Sequence, residues 1–261
     1  QRIMDRLPPK LTKDEPLTSL SDHQLEAKSA IETHWQTKDN VLLHGITGSG
    51  KTEVYKHLIA QELAKGNQVL FLVPEIGLTT QLMQRLYTFF GKQLAVYHSR
   101  YSPQERTETW NKILADKEEV RLVLGTRSAV LLPFQNLGLV VVDESHEMSY
   151  KQYESSPRYH ARDAAMVLSR MHQAKVILGS ATPTVESYAH AKSGKYGLVS
   201  MTARYRDAQL PQISYVDLSE AYRKKQMSGH LAKPFIQAIG EALLSGKQVL
   251  LFQNRRGYAS F

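Results

Sequence analysis

The sequence predicts an α/β fold: a doubly wound, mostly parallel sheet with helices on both faces. Three observations carry that expectation. Apolar runs of strand length alternate with helical patterns along most of the chain. Several runs are almost unbroken Val, Leu and Ile, the composition of strands covered on both faces. One of them, Val41-Leu42-Leu43, leads into a glycine-rich loop and then a helical stretch from Glu53 to Lys65. Loops at the carboxyl ends of strands are where such sheets bind ligands.

In order along the chain, residues 1 to 19 carry three prolines and scattered charge and read as a linker from something upstream. The core starts near Leu20. Strands are expected at Val41 to His44, Gln68 to Val73, Leu94 to Tyr97, Arg121 to Gly125, Gly138 to Val142 and Lys175 to Leu178, with a further possible strand at Ile213 to Val216. Ile59 to Leu72 and Ile239 to Phe252 echo each other over a helix, a glycine and a strand. The echo reads either as ordinary helix-to-strand grammar or as two related lobes, the second truncated. The expected organisation is a linker over 1–19, a complete lobe over 20–204 and the start of a second over 205–261. Gln1 is not an initiator residue, which points to a piece of a longer chain.

The chain has 261 residues, 42% of them hydrophobic, enough for one full α/β domain and part of another. Its net charge of +8 favours a polyanionic partner. Zero cysteines excludes disulfides and thiolate metal sites within this stretch. No apolar run approaches the ~20 residues needed to cross a bilayer, and no secretory signal is visible. A cytoplasmic protein without a membrane partner is the expectation. The ten histidines show no His-x-x-x-His pair beside an acid cluster, so no zinc is expected here.

Gly45-Ile46-Thr47-Gly48-Ser49-Gly50-Lys51-Thr52 is a phosphate cradle. Its spaced glycines let successive backbone N–H groups turn toward an anion, Lys51 brings a cation to the β- and γ-phosphates, and the Thr52 hydroxyl can ligate Mg²⁺. About ninety residues later, the run Leu139-Val140-Val141-Val142 ends in Asp143-Glu144-Ser145-His146. Asp143 is placed to hold Mg²⁺ through water, and Glu144 to orient and deprotonate the water that attacks the γ-phosphate.

Lys175 to Leu178 runs into Gly179-Ser180-Ala181-Thr182-Pro183. Ser180 and Thr182 suit a relay between the nucleotide and a second site. Tyr150, Lys151, Tyr153, Arg158 and Tyr159 interleave aromatics with cations, which reads as a platform for stacked bases and neutralised phosphates. The alternative is that these tyrosines pack their loop against the sheet.

Gly-Ser-Gly-Lys-Thr, Asp-Glu-x-His and Ser-Ala-Thr in this order resemble the motor of superfamily 2 helicases and translocases. Leu72 to Thr79, Gly125 to Val130, Tyr150-Lys151-Gln152, Arg158 to Asp163 and Asn254 to Ala259 narrow the resemblance to the PriA helicase family. The resemblance spans roughly residues 20 to 261.

It implies a RecA-like P-loop NTPase lobe in an ATP- and Mg²⁺-dependent 3′→5′ DNA helicase. Such an enzyme recognises stalled or abandoned replication forks and initiates primosome assembly. Its implied partners are forked and single-stranded DNA, primosome proteins and single-strand-binding proteins. By position, Gln24 matches the glutamine that reads adenine, Thr79, Thr126 and Arg127 match residues that grip the DNA backbone, and Arg255 and Arg256 open the second lobe's first motif. Ser145 stands where the family usually has another acid, and Pro157 near a usual tryptophan. The resemblance also places a fork-binding domain before residue 1, and a zinc module and a late arginine motif beyond Phe261. Two rivals remain: a nucleic-acid-binding module that has lost hydrolysis, and a double-stranded DNA translocase such as a restriction motor subunit.

Overall fold

The computed structural model describes residues 17–77, 79–99, 101–115, 120–154, 156–203 and 212–252. The chain divides into two units, Gln1–Ala208 and Gln209–Phe261. In the first, the elements run α1 (Asp22–His34), β1 (Asn40–Gly45), α2 (Lys51–Ala64), β2 (Gln68–Leu72), α3 (Thr80–Phe90), β3 (Leu94–Tyr97), α4 (Pro103–Leu114), β4 (Leu122–Gly125), β5 (Leu137–Val142), α5 (Ala161–Met171), β6 (Lys175–Ser180), α6 (Val185–Lys192) and β7 (Gly197–Met201). The strands form one parallel sheet in the order β3-β4-β2-β5-β6-β1-β7.

The unbroken apolar runs follow from two covered faces. Successive side chains on a strand point to opposite sides. Leu42, Leu70, Val140, Val176 and Leu178 pack on one face with Ala161 and Ala165 of α5. Val41, Leu43, Val69, Phe71, Val141 and Ile177 pack on the other with Ile31 of α1, Val54 and Leu58 of α2 and Leu86 of α3. Every one of these side chains is buried, so neither alternate position has a reason to be polar. Each buried Val, Leu, Ile or Phe contributes about 1.5–3 kcal/mol of transfer free energy. Helix starts are legible in the same way: Ser102 accepts from the Glu105 amide while the Glu105 carboxylate accepts from the Ser102 amide, with Pro103 at the first helical position.

The doubly wound parallel sheet is the fold the sequence predicted. All six expected core strands form, with ends that match or differ by at most two residues. A seventh, β7, was not anticipated. Gly197-Leu-Val-Ser-Met201 is short and polar at Ser200, and only its pairing beside β1 makes it a strand.

In the second unit α7 (Leu218–Arg223) precedes a two-residue hairpin of β8 (Met227–Ser228) and β9 (Leu231–Ala232), which leads into α8 (Lys233–Leu244). The expected strand at Ile213 to Val216 does not form, and the strand half of the echo over Gln248 to Phe252 is unpaired as well. Neither segment has a neighbouring strand among the described residues, and an isolated strand is not stable in water. Most of residues 1 to 19, and the Asn254 to Ala259 motif with Arg255 and Arg256, lie outside the described residues. No described helix is long and apolar enough to cross a membrane.

Candidate nucleotide site and nucleic-acid face

Strand register sets the site. Leu43 pairs with Gly179 and His44 with Ser180 across β1 and β6, while Val142 pairs with Leu178 across β5 and β6. The carboxyl ends of three adjacent strands thus deliver the loop after Gly45, the acids after Val142 and the hydroxyls after Gly179 to one edge of the sheet. The crevice at such an edge is where open parallel sheets hold ligands.

The loop is shaped by two glycines in the left-handed region, Gly48 at φ 79° and Gly50 at φ 87°. Gly50 also caps α2, whose first turn leaves N–H groups without intrahelical partners facing the loop. A methyl group on Gly50 would collide with the Gln24 side-chain amide. Gln24 itself is buried and accepts a hydrogen bond from the Ser21 amide at 2.9 Å. Lys51 is buried, and its Nζ donates to the Gly45 carbonyl at 2.7 Å.

The acid turn is held from three directions. The Tyr55 hydroxyl donates to Asp143 Oδ1 at 3.0 Å, and the Tyr150 hydroxyl donates to the Asp143 carbonyl at 2.6 Å. The Ser145 amide donates to the Gly179 carbonyl at 2.9 Å. Burial pushes the Asp143 carboxyl up from its ordinary value, and the charge of Glu144 adds to this, while the Tyr55 hydroxyl and Lys51 pull it back. Burial, followed by the Asp143 charge, also pushes the Tyr55 phenol well up, so it remains a donor. Glu144 adopts φ 45°, a strained conformation for a residue with a side chain, of the kind that collects at functional sites. His146 Nδ1 lies 2.8 Å from the Ser180 hydroxyl and 3.6 Å from Glu144 Oε2. Ser180 also accepts from the Thr182 amide at 3.0 Å.

Gln24, Gly48, Lys51, Thr52, Asp143 and Glu144 line a cleft of about 720 Å³, a size suited to a nucleotide. The residues fit magnesium and ATP. The cradle has a buried cation, and its Ser49 hydroxyl is buried without a partner. Thr52 and Asp143 offer hard oxygens to Mg²⁺, which keeps several of its waters when it binds a protein, so that it can be held directly or through one of them.

The residues assigned to DNA are not all gathered at one surface. Tyr153 is half exposed, with Lys151 Nζ 4.9 Å from its ring centre, and Arg158 is exposed. Tyr150 is a correction. Its ring is 1% exposed in the core, so it cannot stack on a base in this conformation. Tyr159 is half-buried against the same core and donates to the Arg127 carbonyl at 3.3 Å. Arg127 Nη1 donates to the carbonyls of Ser149 and Lys151 at 3.2 and 2.7 Å, so it braces the loop carrying Lys151. Thr126 is buried, and Thr79 caps α3 by accepting from the Leu82 amide at 3.2 Å. Sequence reasoning missed Tyr55 and Gly179. The available signal was Tyr55's place four residues after Lys51, on the same face of α2.

Fold and site together define a RecA-like P-loop nucleotide-binding lobe of the helicase type. The DEAD/DEAH box helicase model matches residues 21–190. The chain belongs to the DEAD/DEAH box helicase family. It is 45% identical over 254 residues to Replication restart protein PriA of Bacillus subtilis, covering 95% of this chain and 31% of the relative. To Replication restart protein PriA of Rickettsia felis it is 43% identical over 240 residues, 92% of this chain and 36% of the relative. The chain thus spans about a third of the length of the curated relatives it matches. Among solved structures, the helicase MrfA aligns with TM-score 0.58 at 18% identity, over 92% of this chain and 37% of MrfA. RecG bound to a three-way DNA junction aligns with TM-score 0.52 at 22% identity, over 87% and 29%. At these identities the structures support the fold alone.

Proposed function

We propose that this chain is the ATP-binding part of a DNA helicase that acts in replication restart, moving 3′→5′ and recognising stalled or abandoned forks to initiate primosome assembly. The observation that supports it most is the meeting of a complete phosphate loop after β1 with Asp143 and Glu144 after β5, on either side of β6, in a chain 45% identical to a replication restart protein. Residues 20–204 are read as the first helicase lobe, 205–261 as the beginning of a second, and 1–19 as the approach from an upstream region. Forked and single-stranded DNA, primosome proteins and single-strand-binding proteins are the proposed partners.

Bound Mg²⁺-ATP supplies an activated γ-phosphate whose transfer to water releases the free energy for movement on DNA. The protein's part is positioning. The loop from Gly45 to Gly50 would wrap the phosphates with its backbone N–H groups other than those of Ile46 and Ser49, which donate to the Met201 and Ile46 carbonyls, and Lys51 would exchange the Gly45 carbonyl for a phosphate oxygen. Thr52 and Asp143 would hold the metal, Gln24 would read the adenine, and Glu144 would take the proton of the attacking water. Ser180 and Thr182 would pass changes at the acids to the neighbouring loop, while Lys151, Tyr153 and Arg158 would meet the strand together with backbone grips at Thr79 and Arg127.

The test is unwinding by the full-length protein of duplexes with a 3′ or a 5′ single-stranded tail and of model forks. Preference for the 3′ tail and for forks supports the reading. ATP-dependent movement on intact duplex without strand separation would favour a double-stranded DNA translocase. The 261-residue chain alone is expected to bind Mg²⁺-ADP by calorimetry and to hydrolyse ATP slowly, because transition-state charge in such motors is stabilised by arginines from a second lobe.

A further inference from the structure

Tyr55 stands one helical turn beyond Lys51 and Thr52, on the buried face of α2. Its ring is fully buried and meets Phe71 edge-on, with centroids 5.7 Å apart at 75°. Packing therefore fixes where its hydroxyl ends, and the hydroxyl donates to Asp143 Oδ1 at 3.0 Å. The opposite wall is β6. At Gly179 a methyl group would run into the Tyr55 hydroxyl and come within 3.1 Å of Asp143 Oδ1. The strand accordingly has no side chain where the hydroxyl and carboxylate meet, and the Gly179 carbonyl accepts from the Ser145 amide within the same turn.

A phenylalanine at 55 would fill the core equally well, and an alanine at 179 would suit a buried strand better than glycine does. Neither choice would leave the hydroxyl in contact with the carboxylate. We propose that Tyr55 and Gly179 act as a positioning pair for Asp143. The pair holds one carboxylate oxygen in place and leaves the other as the oxygen that Asp143 would offer to the metal or its bound water. A partner that orients a ligating carboxylate in this way shapes metal affinity. The inference rests on the reading of this cleft as a magnesium-nucleotide site and adds two residues to it.

The test measures binding of a fluorescent ADP analogue to the 261-residue chain, with a Mg²⁺ titration and with EDTA. Magnesium-dependent tightening in the unaltered chain checks the reading of the site itself. Failure there leaves no magnesium site to position and overturns both. In Tyr55→Phe the Mg²⁺ concentration for half-maximal tightening is expected to rise by about tenfold, with the EDTA affinity of each variant as its own reference. Gly179→Ala, which displaces the hydroxyl from the other side, is expected to give a shift in the same direction. Circular dichroism checks that each variant folds, and if one does not, the other carries the test. Mg²⁺ titrations that superimpose on the parent overturn the inference. So does failure of both variants to fold, which would make the contact a requirement of the core.

Discussion

The Ser180 hydroxyl meets His146 Nδ1 at 2.8 Å and accepts from the Thr182 amide at 3.0 Å. One small side chain thereby joins the turn that carries Asp143 and Glu144 to the loop that follows β6. Together with the Ser145 to Gly179 hydrogen bond, this leaves little freedom for either loop to move alone.

Ser180→Ala is expected to lower DNA stimulation of ATP hydrolysis in the full-length protein more than it lowers the basal rate. Thr182 also loses an acceptor, at a cost of about 1 kcal/mol. Hydrolysis assays with and without a single-stranded oligonucleotide measure the first effect, and urea unfolding the second. Equal falls in both rates would place Ser180 in hydrolysis rather than in coupling.

Lys51→Ala removes the buried cation beside Gly45 and is expected to abolish turnover while weakening nucleotide binding less. A charge-assisted hydrogen bond from the ammonium to a phosphate oxygen is worth about 1.5–3 kcal/mol in the ground state and more as charge develops. Calorimetry and steady-state hydrolysis on one preparation separate the two. Turnover at the parental rate would remove the loop from catalysis.

Glu144→Gln and Asp143→Asn are expected to fail differently. The first keeps Mg²⁺-ATP binding and loses proton abstraction, while the second shifts the Mg²⁺ requirement. Titrating ATP at several Mg²⁺ concentrations distinguishes them. The same loss of nucleotide affinity in both would contradict the division of roles.

Tyr153→Ala combined with Arg158→Ala is expected to weaken single-stranded DNA binding, since both side chains are exposed and one stacked base is worth about 1–3 kcal/mol. The thermal midpoint should scarcely move. Tyr150→Phe should instead lower stability by about 1–2 kcal/mol, because it removes the 2.6 Å hydrogen bond to the Asp143 carbonyl from a buried site. Fluorescence anisotropy and thermal denaturation of both variants decide. A reversed pattern would return Tyr150 to the DNA platform.

His160 bears on acid stability. Burial, reinforced by Arg162 and Lys151 and opposed by Asp163, holds its imidazole below the ordinary value of 6.5. The unfolded chain therefore takes up the proton first as pH falls. Stability linked to this residue is level above pH 6.5 and declines as pH drops toward the lowered value. Relative to His160→Gln, which does not titrate, the parent is expected to lose stability over that acid interval. A stability difference that stays constant with pH would refute the shift.

Much of this was legible in the chain because short-range chemistry fixes it. The loop from Gly45 to Thr52 needs only its glycines, its lysine and a following helix, and the buried strands announce themselves by lacking any polar alternate. Contacts between distant segments left no local trace. Tyr55 reads as one more apolar residue of α2 until β5 brings Asp143 to its hydroxyl. Tyr150, Tyr153 and Tyr159 look alike in sequence, and only the fold separates a core ring from an exposed one. β7 escaped notice because its identity comes from β1 beside it.

The absent side chain of Gly50 is the space that the Gln24 amide occupies. Base choice and phosphate grip, in the roles proposed for these two residues, therefore share one point of touch. A lineage drifting toward another purine could not exchange Gln24 for a bulkier reader without pressing on the turn that starts α2. Likewise, any side chain gained at Gly50 would press on the Gln24 amide and, at φ 87°, strain the turn that shapes the phosphate loop. The two ends of the nucleotide are recognised by parts that can change only in step.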